Sequence, residues 1–321
     1  MRICVMIEGQ EGVAWADWIA LAQACERLGF ETLFRSDHYL SVEGHTERGS
    51  LDAWGTISGL SAVTETLRFG TLVSPATFRH PSVLAKAVVT ADHISGGRAE
   101  LGIGTGWLEA EHTAYGFPFP PMGERMARFG EQLEIIRRQW GDEPFSFEGE
   151  HYRIDDLDAR PKPVQRPSPP LIVGGSMGPR SVALAARWAD EYNTLYVTPD
   201  EARERRGRLD DACRAADRDP ETLGFSLMNG FVIGADRDDL RARGHRLAEW
   251  RGHEDQATSD IDAYLDAVAK PWIVGTPEEF VARLREYEAA GVERVMLQHH
   301  LFRDFEALEL IGREVIPALA G

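Results

Sequence analysis

Short runs dense in apolar and β-branched residues alternate along the chain with longer stretches whose apolar positions recur every three or four residues. The short runs, bounded by Gly, Pro, Asp or Asn, read as buried strands, and the periodic stretches read as amphipathic helices. Eight strand runs stand out: Arg2 to Ile7, Thr32 to Ser36, Arg68 to Val73, Ala99 to Gly104, Leu171 to Gly174, Glu191 to Tyr196, Gly224 to Ile233 and Arg294 to Gln298. The stretch WADWIALAQACERLGF carries the helical pattern, with Trp15, Ile19, Ala22 and Glu26 on successive turns and Gly29 as the stop. Strands and helices in strict alternation predict an α/β fold with a parallel sheet, here a single (β/α)8 TIM barrel over residues 1–321. No Gly/Ser-rich or charged tether divides the chain. Two excursions interrupt the rhythm. The proline-rich block Gly141 to Pro170, between the fourth helix and the fifth strand, reads as a surface insertion with a hairpin. The second, about 252–271, precedes the last helix and strand and is either a lid or a packed outer helix.

The segment SGGRAELGIGTGW, Ser95 to Trp107, has glycines spaced as if for a phosphate, but the dinucleotide fingerprint fails. Counted from Gly102 its last position is Trp107, and counted from Gly104 it is Glu109, neither of which lets a helix pack tightly on its strand. On a barrel these glycines fall at a strand mouth, where missing side chains would let a flat ring approach the backbone.

Composition narrows the partners. With 52 acidic against 35 basic residues the net charge is -17, and no basic block is present, so nucleic acid and anionic membrane are excluded as partners. Cys4, Cys25 and Cys213 are odd in number, far apart and in apolar contexts, which predicts buried thiols. The N-terminal apolar run is too short for a signal peptide and no segment reaches the roughly 18 apolar residues of a membrane span, so a cytoplasmic location is expected. His299 and His300 are adjacent, and neighbouring residues of an extended chain point apart, so no metal site is expected.

The strand ends carry the candidate chemistry: EGQEG after the first strand, SDH after the second, VSPATFRHP after the third, GTGW after the fourth, GGSMG after the fifth and QHH after the eighth. The segments FRSDH, RFGTLVSPATFRHPSVLAKAVVTADHISGGRAELGIGTGW and LIVGGSMGPRSVALAARWADEYN occur in the order and spacing of the luciferase-like oxidoreductases, and the chain resembles the F420-dependent branch of that superfamily. The resemblance implies a barrel with an insertion before the fifth strand and a deazaflavin cofactor, F420, with FMN as the alternative.

Position by position, the resemblance makes His38 the acid/base residue facing the reactive centre and Asp37 its neighbour in the cofactor pocket. It places a bulge at Leu72, Val73 and Ser74, with a non-prolyl cis bond at Leu72 to Val73; the sequence itself leaves Ser74 to Pro75 open as the cis bond. It sets Gly104, Thr105 and Gly106 against the pyrimidine side of the ring, and makes Gly174, Gly175 and Ser176 a phosphate turn at a helix N-terminus. Trp107 stands where some deazaflavin sugar-phosphate dehydrogenases of the family carry a catalytic glutamate. His112 and Tyr115 belong beside the cofactor tail or pack on the fourth helix, and His80 starts the third helix as a cap. Glu8, Gln10 and Trp107 are the expected substrate walls, with a cationic group suiting Glu8.

The function implied is hydride transfer between F420 and a small organic substrate, in a homodimer supplied by a flavin or F420 reductase. An FMN-dependent monooxygenase is the alternative, and a non-catalytic flavin- or ligand-binding barrel is the second.

Overall fold

The computed structural model describes residues 1–320. Strands β1 (Arg2–Ile7), β2 (Thr32–Arg35), β3 (Arg68–Pro75) and β4 (Ala99–Gly104) follow one another in space as they do in sequence. A small antiparallel hairpin, β5 (Phe145–Glu148) and β6 (Arg153–Leu157), lies apart, and the barrel resumes with β7 (Leu171–Gly174), β8 (Glu191–Leu195) and β9 (Gly224–Ile233). A three-residue strand, β10 (Ile273–Gly275), extends the outer end of β9, and β11 (Arg294–Gln298) pairs with both β9 and β1 to close a parallel ring of eight. All eight strand runs read from the sequence are barrel strands. The short β10 lies just before α11 (Pro277–Ala289) and falls outside the eight runs.

The helices wrap the ring: α1 (Trp15–Leu28), α2 (Ala53–Ser61), α3 (Pro81–Ser95), α4 (Glu109–Tyr115), α5 (Met122–Trp140), α6 (Pro179–Trp188), α7 (Pro199–Ala215), α8 (Arg237–Trp250), α9 (Glu254–Ser259), α10 (Ile261–Ala269), α11 (Pro277–Ala289), α12 (Phe305–Leu310) and α13 (Ile316–Ala320). Gly29 ends α1 in the left-handed conformation, φ 79°. The buried stripe of α1 is Trp18, Leu21, Ala22 and Cys25, one step round from the stripe expected, because Trp15 lies across the neighbouring helix at Gly59. His80 caps α3 by accepting from Ser82 N through Nδ1, with Pro81 in the first turn. Cys4, Cys25 and Cys213 are buried and separate. No described helix is long and apolar enough to cross a membrane.

The barrel interior is layered. At the floor, the N-terminal end of the strands, Arg294 donates Nη2 to Glu100 at 2.6 Å and lies 3.7 Å from Glu191, while Arg68 donates Nε to the other Glu100 oxygen at 2.6 Å. Above them sits an apolar layer of Cys4, Met6, Phe34, Leu72, Ile172 and Met296, joined by the partly buried Val73 and Met228. Hydrophobic burial of this kind stabilises at roughly 25 cal/mol per Å² and fixes where the strands, and hence their C-terminal ends, stand. The second excursion, as α9 and α10, packs with α8 and β10 around a separate apolar cluster of Leu240, Leu247, Tyr264, Leu265 and Trp272.

Candidate active site

The C-terminal ends of β1, β2, β3 and β4 assemble a polar mouth above the apolar layer. His38, just past β2, has an 11% exposed side chain and shares Nδ1 with Glu111 Oε2 at 2.9 Å. Glu111 lies in α4 with its carboxylate fully buried, and its second oxygen accepts the backbone N–H groups of Tyr39 and Leu40. The His38 Nε2 atom has no protein partner and is not sealed from solvent. Burial by itself would lower the His38 pKa, but the Glu111 hydrogen bond and charge, followed by Glu8 and Asp37, outweigh it and raise the pKa above the ordinary imidazole value. Burial likewise opposes ionisation of Glu111, and His38 with the two backbone donors overturns it, so the carboxyl titrates below its usual range. The pair therefore favours imidazolium against carboxylate, with the unpartnered Nε2–H left to the mouth. Trp107, 63% exposed, meets the His38 ring edge-on at 5.6 Å between centroids.

Glu111 was not among the residues read from the sequence. In EAEHTAYGF its acids look like the ordinary compensation of a helix N-terminus, and only the packing of α4 under the loop after β2 buries one of them.

Asp37 is placed differently from a pocket lining. Its carboxylate has no exposed surface and is consumed by Arg79 at 2.5 and 3.2 Å and by Ser74 Oγ at 2.6 Å. Arg79 continues to Asp52 at 2.7 Å and to Tyr39 Oη at 3.0 Å, forming a clamp that holds the ends of β2 and β3 together. Gln10 is fully buried. Its amide donates to Glu8 at 2.8 Å and its oxygen accepts from Ser36, so it supports Glu8 and does not wall the mouth. Glu8 is half-buried and also accepts from Gln298 at 2.5 Å, and Gln298 in turn accepts from Tyr196 Oη.

The Leu72–Val73 peptide bond is cis, and the pairing of β3 with β4 shifts register between Thr71 and Ser74. The resulting bulge explains the glycines of β4 and β7. A Cβ on Gly104 would stand 2.9 Å from Val73 Cγ2, and one on Gly174 would stand 2.7 Å from Val73 Cγ1. Val73 thus takes the room that the missing side chains of Gly104 and Gly174 leave, on top of the apolar layer. Thr105 is half-buried beside Gly106. His112 is buried and uses both ring nitrogens, Nε2 with Thr77 Oγ1 at 2.6 Å and Nδ1 with the Leu108 carbonyl at 2.7 Å. Tyr115 is half-exposed in an aromatic group with Tyr39 and Phe117.

The turn after β7 is held from below by Tyr192, whose Oη accepts from Met177 N at 3.0 Å and would be 2.9 Å from a Cβ on Gly175. Ser176 is exposed at this turn, two residues before the cap of α6. Arg125 at the start of α5 is 8% exposed, donates Nη1 to the Gly106 carbonyl, just past the strand β4 that pairs with β7, at 2.5 Å and lies 3.9 Å over the Phe119 ring. Its Nε is buried without a partner, and no carboxylate lies within 4.0 Å of its guanidinium among the described residues. A buried cation left without an anion, at the end of β4, and the N-terminal turn of α6, at the end of the neighbouring β7, are donors of the kind that fit the anionic tail of a cofactor.

The fold and this strand-end arrangement define a TIM-barrel enzyme of the oxidoreductase class. The model of the luciferase-like monooxygenase family matches residues 1–294, and the chain belongs to that family. Among its relatives are an F420-dependent glucose-6-phosphate dehydrogenase of Intrasporangium calvum, 31% identical over 92% of both chains, and an FMNH(2)-dependent dimethylsulfone monooxygenase of Pseudomonas putida, 27% identical over 92% of this chain and 86% of the relative. A monooxygenase of Streptomyces bottropensis shares the fold, with a TM-score of 0.83 and 24% identity over 99% of this chain and all of that one.

Proposed function

We propose that the protein is an F420-dependent oxidoreductase that exchanges a hydride with a small organic substrate, with His38 as the acid/base residue. The observation that carries this reading is the His38–Glu111 pair, which leaves one imidazole nitrogen unengaged at the barrel mouth. Gly174, Gly175, Ser176 and Arg125 would hold the anionic tail of the cofactor, and Val73 would support its ring. F420, when bound, supplies a two-electron hydride carrier. His38 Nε2 holds or takes the proton that accompanies the hydride, with Glu111 stabilising the charged imidazole. Trp107 and Glu8 border the space in which the substrate lies. Substrates of the sugar-phosphate type are disfavoured, since Trp107 has no carboxylate to offer.

Pairing of two chains through α3 is supported by Val83 and Ile94, 60% and 45% exposed and eleven residues apart on one helix face. A separate reductase would return the cofactor to its reduced form.

Calorimetric titration of the apoprotein with F420 and with FMN tests the assignment. Micromolar F420 binding with much weaker FMN binding is the expected result. The reverse preference would move the function to FMN-dependent monooxygenation, the chemistry named for the Pseudomonas putida relative.

A further inference from the structure

The opposite rim of the mouth, above β9 and β11, is built in another way. The face of β9 that carries Met228 into the barrel continues through Gly230, and a Cβ there would overlap the Trp272 ring, so that ring lies directly on the strand. Trp272 stacks on His300 at 4.9 Å and 10°, and Trp250 closes on the same imidazole at 4.8 Å. Both His300 ring nitrogens are buried without a hydrogen-bond partner. Tyr264, 5% exposed, turns its hydroxyl toward Arg251. A buried polar group without a partner costs about 1–3 kcal/mol, so two such nitrogens on one ring between two tryptophans call for a ligand.

Arg251 supplies the charge. It follows α8, lies 5.2 Å over Trp272, and its charge acts on Tyr196, Tyr264 and His300. No carboxylate lies within 4.0 Å of it among the described residues, although acids outnumber basic residues in the chain as a whole. Neighbouring guanidiniums are neutralised: Arg48, over Trp250, is bound to Glu11 at 2.7 Å. The groove on the outer side of Trp272 has its charges paired too, Arg241 with Asp262 at 2.9 Å and Arg283 with Glu286 at 2.8 Å. Glu8, which the sequence offers to a substrate cation, already has both oxygens engaged by the amides of Gln10 and Gln298.

We propose that Arg251, with Tyr264, His300 and Trp272, is the substrate-anchoring site, and that the substrate carries an oxyanion on an apolar or planar body. The oxyanion is held at Arg251 and the body lies across Tyr196 toward Glu8 and His38. Tyr196 makes the physical connection, since it is half-exposed at the rim and is tied through Gln298 to Glu8. Which molecule is converted rests on the oxidoreductase reading, but capture of the anion does not.

The test uses benzoate and phenyl phosphate against neutral benzamide as probes, titrated into the full-length apoprotein and followed by tryptophan fluorescence and indole N–H resonances. Both anions are expected to bind about tenfold tighter than benzamide. Arg251→Met should erase that preference without changing benzamide binding, and Arg251→Lys should retain part of it. Equal binding of the three probes, or an anion preference that survives Arg251→Met, overturns the proposal. F420 titration of the same variants separates the two readings: unchanged cofactor binding with lost anion preference supports the anchor, and lost cofactor binding in Arg251→Met places the residue in the cofactor site instead.

Discussion

At the floor of the barrel, four charged side chains lock one another: Arg294 and Arg68 share the two oxygens of Glu100, and Glu191 lies on the far side of Arg294. At the mouth, the other end of the same barrel, charge is left open: the His38 ring keeps a nitrogen unengaged, Arg125 keeps Nε unpaired, and Arg251 has no carboxylate. The charges of the floor are matched as opposite pairs, even though Arg294 Nε and Glu191 Oε1 are buried there without a hydrogen-bond partner. The mouth instead keeps cations without a carboxylate, Arg125 buried and Arg251 exposed, where an anion from outside the chain can pair with them. The difference separates residues that hold the barrel from residues that serve it.

The sharpest way to break this division is at the floor. Arg294→Met leaves Glu100 and Glu191 buried around an apolar chain, and losing one partner of a buried pair costs about 3–5 kcal/mol. Urea unfolding should show a loss of that size, while the fraction that remains folded binds cofactor as before. A loss below about 1 kcal/mol would mean that Glu191, whose pKa burial already raises, takes up a proton and relieves the cluster.

The reciprocal substitution is at the mouth. His38→Asn should lower turnover about 10²- to 10⁴-fold, the usual range for removing a general acid or base, while its unfolding midpoint stays close to that of the parent. Equal losses of stability and turnover would make His38 a structural histidine.

How much of this division was legible in the sequence follows from its physics. The eight strands were, because a strand buried on both faces must be a continuous apolar run. SDH, GTGW and GGSMG were legible as strand ends, since their polar and glycine residues break those runs. The reason for the glycines was not: Gly104 and Gly174 are narrow to admit Val73, a residue thirty to a hundred positions away, and no local pattern shows that. Arg79, Glu111, Arg125 and Arg251 were missed for a related reason. A charged residue on or beside a helix reads as solvated until the tertiary fold buries it or leaves it without an opposite charge.

Acid should reveal the rim beside β11. Burial, the main cause at both sites, lowers His299 to about 4 and His300 to about 3 from the ordinary 6.5. Below pH 6.5 the unfolded chain takes up protons that the folded one refuses, so stability falls as pH drops from 6.5 toward 4 and levels off below the folded values. The expected slope is about 1.4 kcal/mol per pH unit for each histidine. His300→Phe, which keeps a ring against Trp272, should halve it in a pH series of urea melts. An unchanged slope would place the acid sensitivity elsewhere.

The smallest expected effect is the most specific to the mouth. Glu111→Gln keeps an oxygen for the Tyr39 and Leu40 amides but removes the negative charge beside His38. Burial then dominates and the His38 pKa falls, which a histidine Cε1–H titration reads directly. In the parent, His38 with its raised pKa contributes stability that is full below 6.5 and is lost as pH rises through its folded value. Glu111 with its lowered pKa contributes stability that is full above 4.5 and is lost as pH falls through its own. The pair is therefore strongest between 4.5 and 6.5, and Glu111→Gln should destabilise most in that window and least at alkaline pH. A limb of the rate profile that moves to lower pH together with the His38 resonance identifies Glu111 as the residue that positions and charges the imidazole. A resonance that moves while the profile stays fixed leaves Glu111 a brace for the loop after β2.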